Sequence, residues 1–231
     1  MRRSRFSLHR AHSIPSISVG KKRARTPGRW AVASGLLLAA IRHSILDVMK
    51  ATAILVHEHD VIGQALAVLD AMAARLAGGG SVAAPDVEQL LEFFVVFADR
   101  CHHAKEEGIL FPALEAAGVP REGGPIGVML AEHVEGRRLI GRLRQAAPAA
   151  ASGNTDARRR FAEAAHDYVA LLEEHIAKEN RVLFPRADGM LTDEDDRRIT
   201  AAFERHEELE MGPGVHERFH RMLDDLTTRY R

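Results

Sequence analysis

Two histidine–carboxylate pairs stand one helical turn apart in this chain, and both belong to the same repeated phrase. His102-His103-Ala104-Lys105-Glu106-Glu107-Gly108-Ile109-Leu110-Phe111-Pro112 returns 73 residues later as His175-Ile176-Ala177-Lys178-Glu179-Asn180-Arg181-Val182-Leu183-Phe184-Pro185. The shared His, Ala-Lys-Glu and Leu-Phe-Pro fix the register, so His102 pairs with Glu106 and His175 with Glu179. A second match precedes each phrase: Leu55-Val56-His57-Glu58-His59 and Met129-Leu130-Ala131-Glu132-His133 share Glu-His at a spacing of 74 residues. Positions i and i+4 of an α-helix lie about 40° apart after a full turn, so each His-x-x-x-Glu projects both groups from one face. Two such halves bring together four imidazoles, His59, His102, His133 and His175, and two carboxylates, Glu106 and Glu179.

These groups sit in apolar helical stripes. Hydrophobic residues make up 46% of the 231 residues and aromatics only 5%, with no alternating Val/Ile/Thr run, which indicates an all-α domain with one ordinary core. Positions 55, 59, 62, 66, 69, 73 and 76 alternate steps of four and three, as a bundle seam requires, and Gly78-Gly79-Gly80 ends that helix. Pro85 and Asp86 open a second helix with the seam Leu91, Val95, Ala98, His102, Glu106 and Ile109, expected to close near Phe111-Pro112. The third carries Ile126, Met129, His133, Gly136, Ile140 and Leu143 up to Pro148. The fourth, capped by Asn154, Thr155 or Asp156, carries Phe161, Ala164, Tyr168, Leu171, His175, Glu179 and Val182 to about Pro185. Residues 49–189 therefore read as an up-and-down antiparallel four-helix bundle. Residues 190–231 read as a C-terminal helical extension packed on it, two helices split at Met211-Gly212-Pro213-Gly214.

A lone histidine in a seam is ordinarily a satisfied core residue. Six imidazoles and carboxylates in four seams are different, because burying them unpaired costs several kcal/mol per charge and no Lys or Arg stands in a seam to neutralise them. A metal makes each group a ligand instead. The donors are too many for one ion, which indicates two ions bridged by the carboxylates. Nitrogen with carboxylate oxygen suits iron first, with manganese or zinc as alternatives. His103 and Glu107 fall one position out of register and read as flanking residues, as does His57; His206 belongs to the extension, where it lies on a solvated helix face or covers the open end of the site. Cys101 stands alone, which fits a reducing compartment and permits no intrachain disulfide.

Residues 1–48 hold ten Lys or Arg against one acid, Asp47, with Ser, Pro and Gly but no helical period. They read as disordered, or as upstream sequence before a start at Met49. The apolar run 31–41 has the outline of a secretory signal but lacks a good cleavage site and is too short to span a bilayer. All the excess positive charge lies in this segment, so the folded domain carries no nucleic-acid footprint and no membrane anchor.

The order His59, His102-x-x-x-Glu106, His133, His175-x-x-x-Glu179, with Leu-Phe-Pro after each Glu, resembles the hemerythrin-like, or HHE cation-binding, family of non-haem di-iron four-helix bundles. The resemblance covers residues 50–186. It implies a carboxylate-bridged iron pair in a cytoplasmic protein that reacts with peroxide, O2 or nitric oxide, as in oxidative or nitrosative stress; a catalase-like activity is one form of this. The other functional class is a binding module that senses or stores iron or oxygen without turnover. Glu179 makes the ligand set more anionic and less imidazole-rich than in the oxygen-carrying members, which favours ferric iron over reversible O2 release.

Overall fold

The computed structural model describes residues 50–230, so the expectations for residues 1–48 lie outside the described residues. Six helices fill that range, with no strand among the described residues. They are α1 (Ala51–Ala77), α2 (84–116), α3 (Pro125–Ala151), α4 (155–190), α5 (Asp193–Glu210) and α6 (Val215–Tyr230). None is long and apolar enough to cross a membrane.

Local chemistry sets most boundaries. Gly79 takes φ 82° after α1, a conformation that costs glycine little. Asn154 Oδ1 accepts from Ala157 N (2.8 Å) to cap α4, and Thr192 with Asp195 forms a reciprocal capping box on α5. Pro148 does not break α3, which runs on to Ala151 and ends with the Pro148 carbonyl accepting from Ser152 N (3.1 Å).

The helices enclose two apolar clusters with a polar layer between them. One gathers Leu55 from the start of α1, Leu110, Phe111 and Leu114 from the end of α2, Ile126 and Met129 from the start of α3, and Leu183 and Phe184 from the end of α4. Ile199 and Phe203 of α5 close this cluster. The larger one holds Ile62, Leu66, Leu69, Phe93, Phe94, Phe97, Leu143, Phe161, Tyr168 and Leu172, joined by Phe219, Leu223 and Leu226 of α6. Each such side chain contributes about 1.5–3 kcal/mol when fully buried. The C-terminal helices are therefore part of both cores. Arg229 and Tyr230 also bind the buried Asp86 of α2, at 2.6 and 2.7 Å.

Wide π-type turns interrupt α2 at Phe94–His103 and Glu106–Leu110, and α4 at Glu179–Leu183. They explain where the expected seams slip. Leu110 and Leu183 are buried in place of the seam positions Ile109 and Val182, and Val182 is 60% exposed, because a wide turn holds one more residue. They also explain why neither helix stops at its proline. Pro112 and Pro185 each fall in the first turn of the α-helical segment after a wide turn, where a missing amide is tolerated, so α2 reaches Ala116 and α4 reaches Met190.

Candidate metal centre

The polar layer is contributed by Glu58 and His59 of α1, His102, His103, Lys105 and Glu106 of α2, His133 of α3, and His175 and Glu179 of α4, all buried. Imidazole Nε2 atoms meet in pairs, His59 to His102 at 3.0 Å and His133 to His175 at 3.2 Å. The carboxylates lie between the pairs. Glu106 stands 3.6 Å from His102 Nε2 and 3.4 Å from His133 Nε2, and Glu179 3.2 Å from His59 Nε2 and 3.3 Å from His175 Nε2.

An outer ring of acceptors fixes which nitrogen points inward. His102 Nδ1 donates to Glu58 (2.8 Å), His175 Nδ1 to Glu132 (3.0 Å), His133 Nδ1 to Glu107 (2.8 Å), and His59 Nδ1 to Asn180 Oδ1 (2.8 Å). A carboxylate oxygen, like the amide oxygen of Asn180, accepts, so each of these imidazoles carries its proton on Nδ1 and turns the Nε2 lone pair inward when neutral. Lys105 in turn donates to Glu58 and Lys178 to Glu132, while Arg137 clamps Glu107 and Asp99, both at 2.7 Å. The phenylalanines of the two Leu-Phe-Pro phrases stack on rings of the opposite half, Phe184 on His59 at 5.5 Å and Phe111 on His133 at 6.0 Å. Ring orientation is thus set on both sides.

With the imidazoles neutral, as a metal requires them, the inside of the layer holds lone pairs and no donor to satisfy them. The four carboxylate oxygens of Glu106 and Glu179 and the Nε2 of His103 have no hydrogen-bond partner. Such a set of convergent acceptors fits a cation. Two groups bring four ligand atoms within 4.8 Å of one another: His59, His102, Glu106 and Glu179, and His103, Glu106, His133 and His175. Glu106 belongs to both.

The same crowding shifts the titrations. Burial holds His102, His103 and His175 below the usual imidazole range. Burial acts on His59 and His133 too, but Glu179 outweighs it at His59, and Glu106 with Glu107 outweighs it at His133, which rises to about 9. Burial and the neighbouring Glu179 raise Glu106, whereas His175 and His59 outweigh burial at Glu179 and lower it. Protons and metal therefore compete for one set of atoms.

A family model described as the hemerythrin HHE cation binding domain matches residues 50–187. The chain belongs to the hemerythrin HHE family. Similar proteins include uncharacterised proteins of Mycobacterium bovis and of two strains of Mycobacterium tuberculosis, each 28% identical over 158 residues, or 68% of this chain and 61% of theirs. No solved structure matches.

The HHE domain brings together all six residues singled out by the repeat. His103 joins them, although a regular helix of 3.6 residues per turn would turn it about 100° away. It closes the wide-turn segment Phe94–His103, where consecutive side chains are less far apart in angle, and it stacks on His133 at 3.9 Å. Glu107 is an outer acceptor. His57 is exposed, and His206 lies near the surface, donating to Arg100 O at 3.0 Å. Burial pushes the Cys101 thiol up to about 12, away from thiolate chemistry. The expectation that no cation enters a seam is corrected by Lys105, which is fully buried; its partner is Glu58, so Glu106 and Glu179 stay open to a metal. The outer residues Glu58, Glu132, Lys105 and Lys178 were visible as the repeated Glu-His and Lys-Glu pairs.

Proposed function

We propose that the HHE domain holds two iron ions in its polar layer and reacts with peroxide, O2 or nitric oxide. The observation that carries this reading is the convergence of four Nε2 lone pairs and four unsatisfied carboxylate oxygens on one buried volume. Helices α1 to α4 serve as the up-and-down antiparallel bundle of the family. His59, His102, Glu106 and Glu179 hold one ion, and Glu106, His133 and His175 hold the other, with His103 as a further donor.

The donor set favours iron or manganese over zinc. Five imidazole nitrogens and four carboxylate oxygens make nine possible donor atoms, one more than two tetrahedral zinc sites use, and suit ions of higher coordination number. Iron, when bound, supplies one-electron steps on each ion and so two-electron chemistry on a diatomic or peroxidic substrate. The residues do the rest. Glu58, Glu132 and Glu107 accept from three imidazoles and raise their basicity, which favours the oxidised metal and disfavours release of intact O2. Because His103 adds a fifth imidazole, the preference for the oxidised metal rests on these outer carboxylates and not on a small number of imidazoles. The apolar clusters on either side exclude water from the layer.

A second reading, an iron- or oxygen-sensing module, is favoured by the contact of α5 with the outer ring through Glu207 and Lys105. Addition of hydrogen peroxide to iron-loaded protein in an oxygen electrode separates the two. The proposal expects O2 evolution that His175→Ala abolishes; an iron-replete protein inert to peroxide, O2 and nitric oxide favours sensing. The proposed setting is the cytoplasm, with small molecules as partners.

A further inference from the structure

The outer ring contains two arms that the repeat makes equivalent. In one, Lys105 donates to Glu58, which accepts from His102; in the other, Lys178 donates to Glu132, which accepts from His175. Their surroundings differ. The Lys105 and Glu58 side chains are 0% and 5% exposed, those of Lys178 and Glu132 39% and 17%.

The C-terminal helices cover the first arm. The Lys105 ammonium lies 5.6 Å from the centre of the Phe203 ring and 3.8 Å from Glu207 Oε2, both on α5. Glu207 Oε1 lies 3.0 Å from His216 Nε2 on α6, and the His216 ring sits edge-on to Phe97 of α2 at 5.2 Å. The family match ends at residue 187, so every one of these covering groups except Phe97 comes from beyond the matched segment.

We propose that α5 and α6 are a working part of the metal centre: Phe203 and Glu207 seal the Lys105–Glu58–His102 arm and thereby make the two buried metal positions unequal, one with a closed outer arm and one whose outer arm reaches solvent. This rests on the two-metal reading above. Glu207 acts as a positioning residue. An ion pair shielded from water holds its geometry more firmly than one that water can enter. A carboxylate held firmly against Nδ1 keeps the imidazole aimed and basic, and outer partners of this kind govern metal affinity. The ion at His59 and His102 is accordingly the slow-exchanging one. The ion at His133 and His175 exchanges faster, and its outer arm is the route by which water and protons reach the layer.

The test uses the full chain loaded anaerobically with iron(II), with release to an excess of a colorimetric ferrous chelator as the readout. Wild type should release iron in two phases of equal amplitude. Glu207→Gln keeps the side chain's shape and removes its charge, and should accelerate the slow phase about tenfold, the low end of the effect of outer partners, leaving the fast phase alone. Mössbauer spectra should show one of the two iron signals altered. Glu210→Gln removes only the surface pair with Arg100 that also joins α5 to α2, and should change neither phase. An unchanged slow phase in Glu207→Gln, or equal acceleration by Glu210→Gln, overturns the inference. A wild type that loads two irons and releases them in one phase overturns it while leaving the two-metal reading intact; a wild type that binds no metal overturns both.

Discussion

Replacing Glu106 by Gln should have opposite effects on the metal-free and metal-loaded protein. Glu106 is fully buried, neither oxygen has a hydrogen-bond partner, and burial with Glu179 raises its pKa from 4.5 to about 8. A raised folded-state pKa means that the fold prefers the protonated acid. Relative to its low-pH value, stability is fully present below 4.5 and is lost as pH rises through about 8. At about 1.4 kcal/mol per pH unit, the cost above pH 8 is on the order of 5 kcal/mol. The amide has unmet hydrogen bonds of its own, worth about 1–3 kcal/mol, so the net gain in the metal-free variant is about 2–4 kcal/mol. In a domain of this size that is roughly 4–16 °C in Tm. With metal the order reverses, because a neutral amide cannot bridge two cations as a carboxylate does. Thermal unfolding followed by circular dichroism, with chelator and with anaerobic iron(II), at pH 5 and pH 8.5, measures both. A metal-free Glu106→Gln no more stable than wild type at pH 8.5, or one that gains as much at pH 5, would show that Glu106 carries no such buried-charge cost.

Lys105→Met leaves Glu58 buried without its main partner and should cost about 3–5 kcal/mol in chemical denaturation. Lys178→Met, at the half-exposed equivalent, should cost about 1 kcal/mol or less; equal losses contradict the sealed and open arms. Glu107→Gln weakens the support of His133 and should lower metal affinity about 10-fold in chelator competition with little change in fold, whereas Asn180→Asp should raise it. His133 must shed a proton held with a pKa of about 9, so apparent metal affinity should climb between about pH 6.5 and 9. Its own contribution to metal-free stability is present below 6.5 and lost through about 9; a flat affinity profile across that range argues against His133 as a ligand.

The six inner residues of the candidate site were legible because they recur: His59, His102, Glu106, His133, His175 and Glu179 stand in matched halves, and i, i+4 geometry places each His-Glu pair without knowledge of the fold. The ends of α2 and α4 were less legible, since a period of 3.6 cannot anticipate the wide turns that carry both helices past Pro112 and Pro185 and bury Leu183 instead of Val182. His103 was missed for the same reason. The roles of Lys105 and Lys178 were missed for another. Their partners Glu58 and Glu132 lie more than forty residues away on other helices, a contact that neither spacing nor periodicity contains. The difference between the two lysines arises only from α5, which follows the repeat.

The proposed two-ion layer sharing Glu106 sets how much metal each chain holds. Metal content per chain, measured by elemental analysis after anaerobic iron(II) loading and removal of free metal, should be close to two irons in wild type and in His57→Ala, with a large loss in Glu106→Ala. A content near one in wild type contradicts the shared bridge, and a content near zero contradicts the metal centre itself.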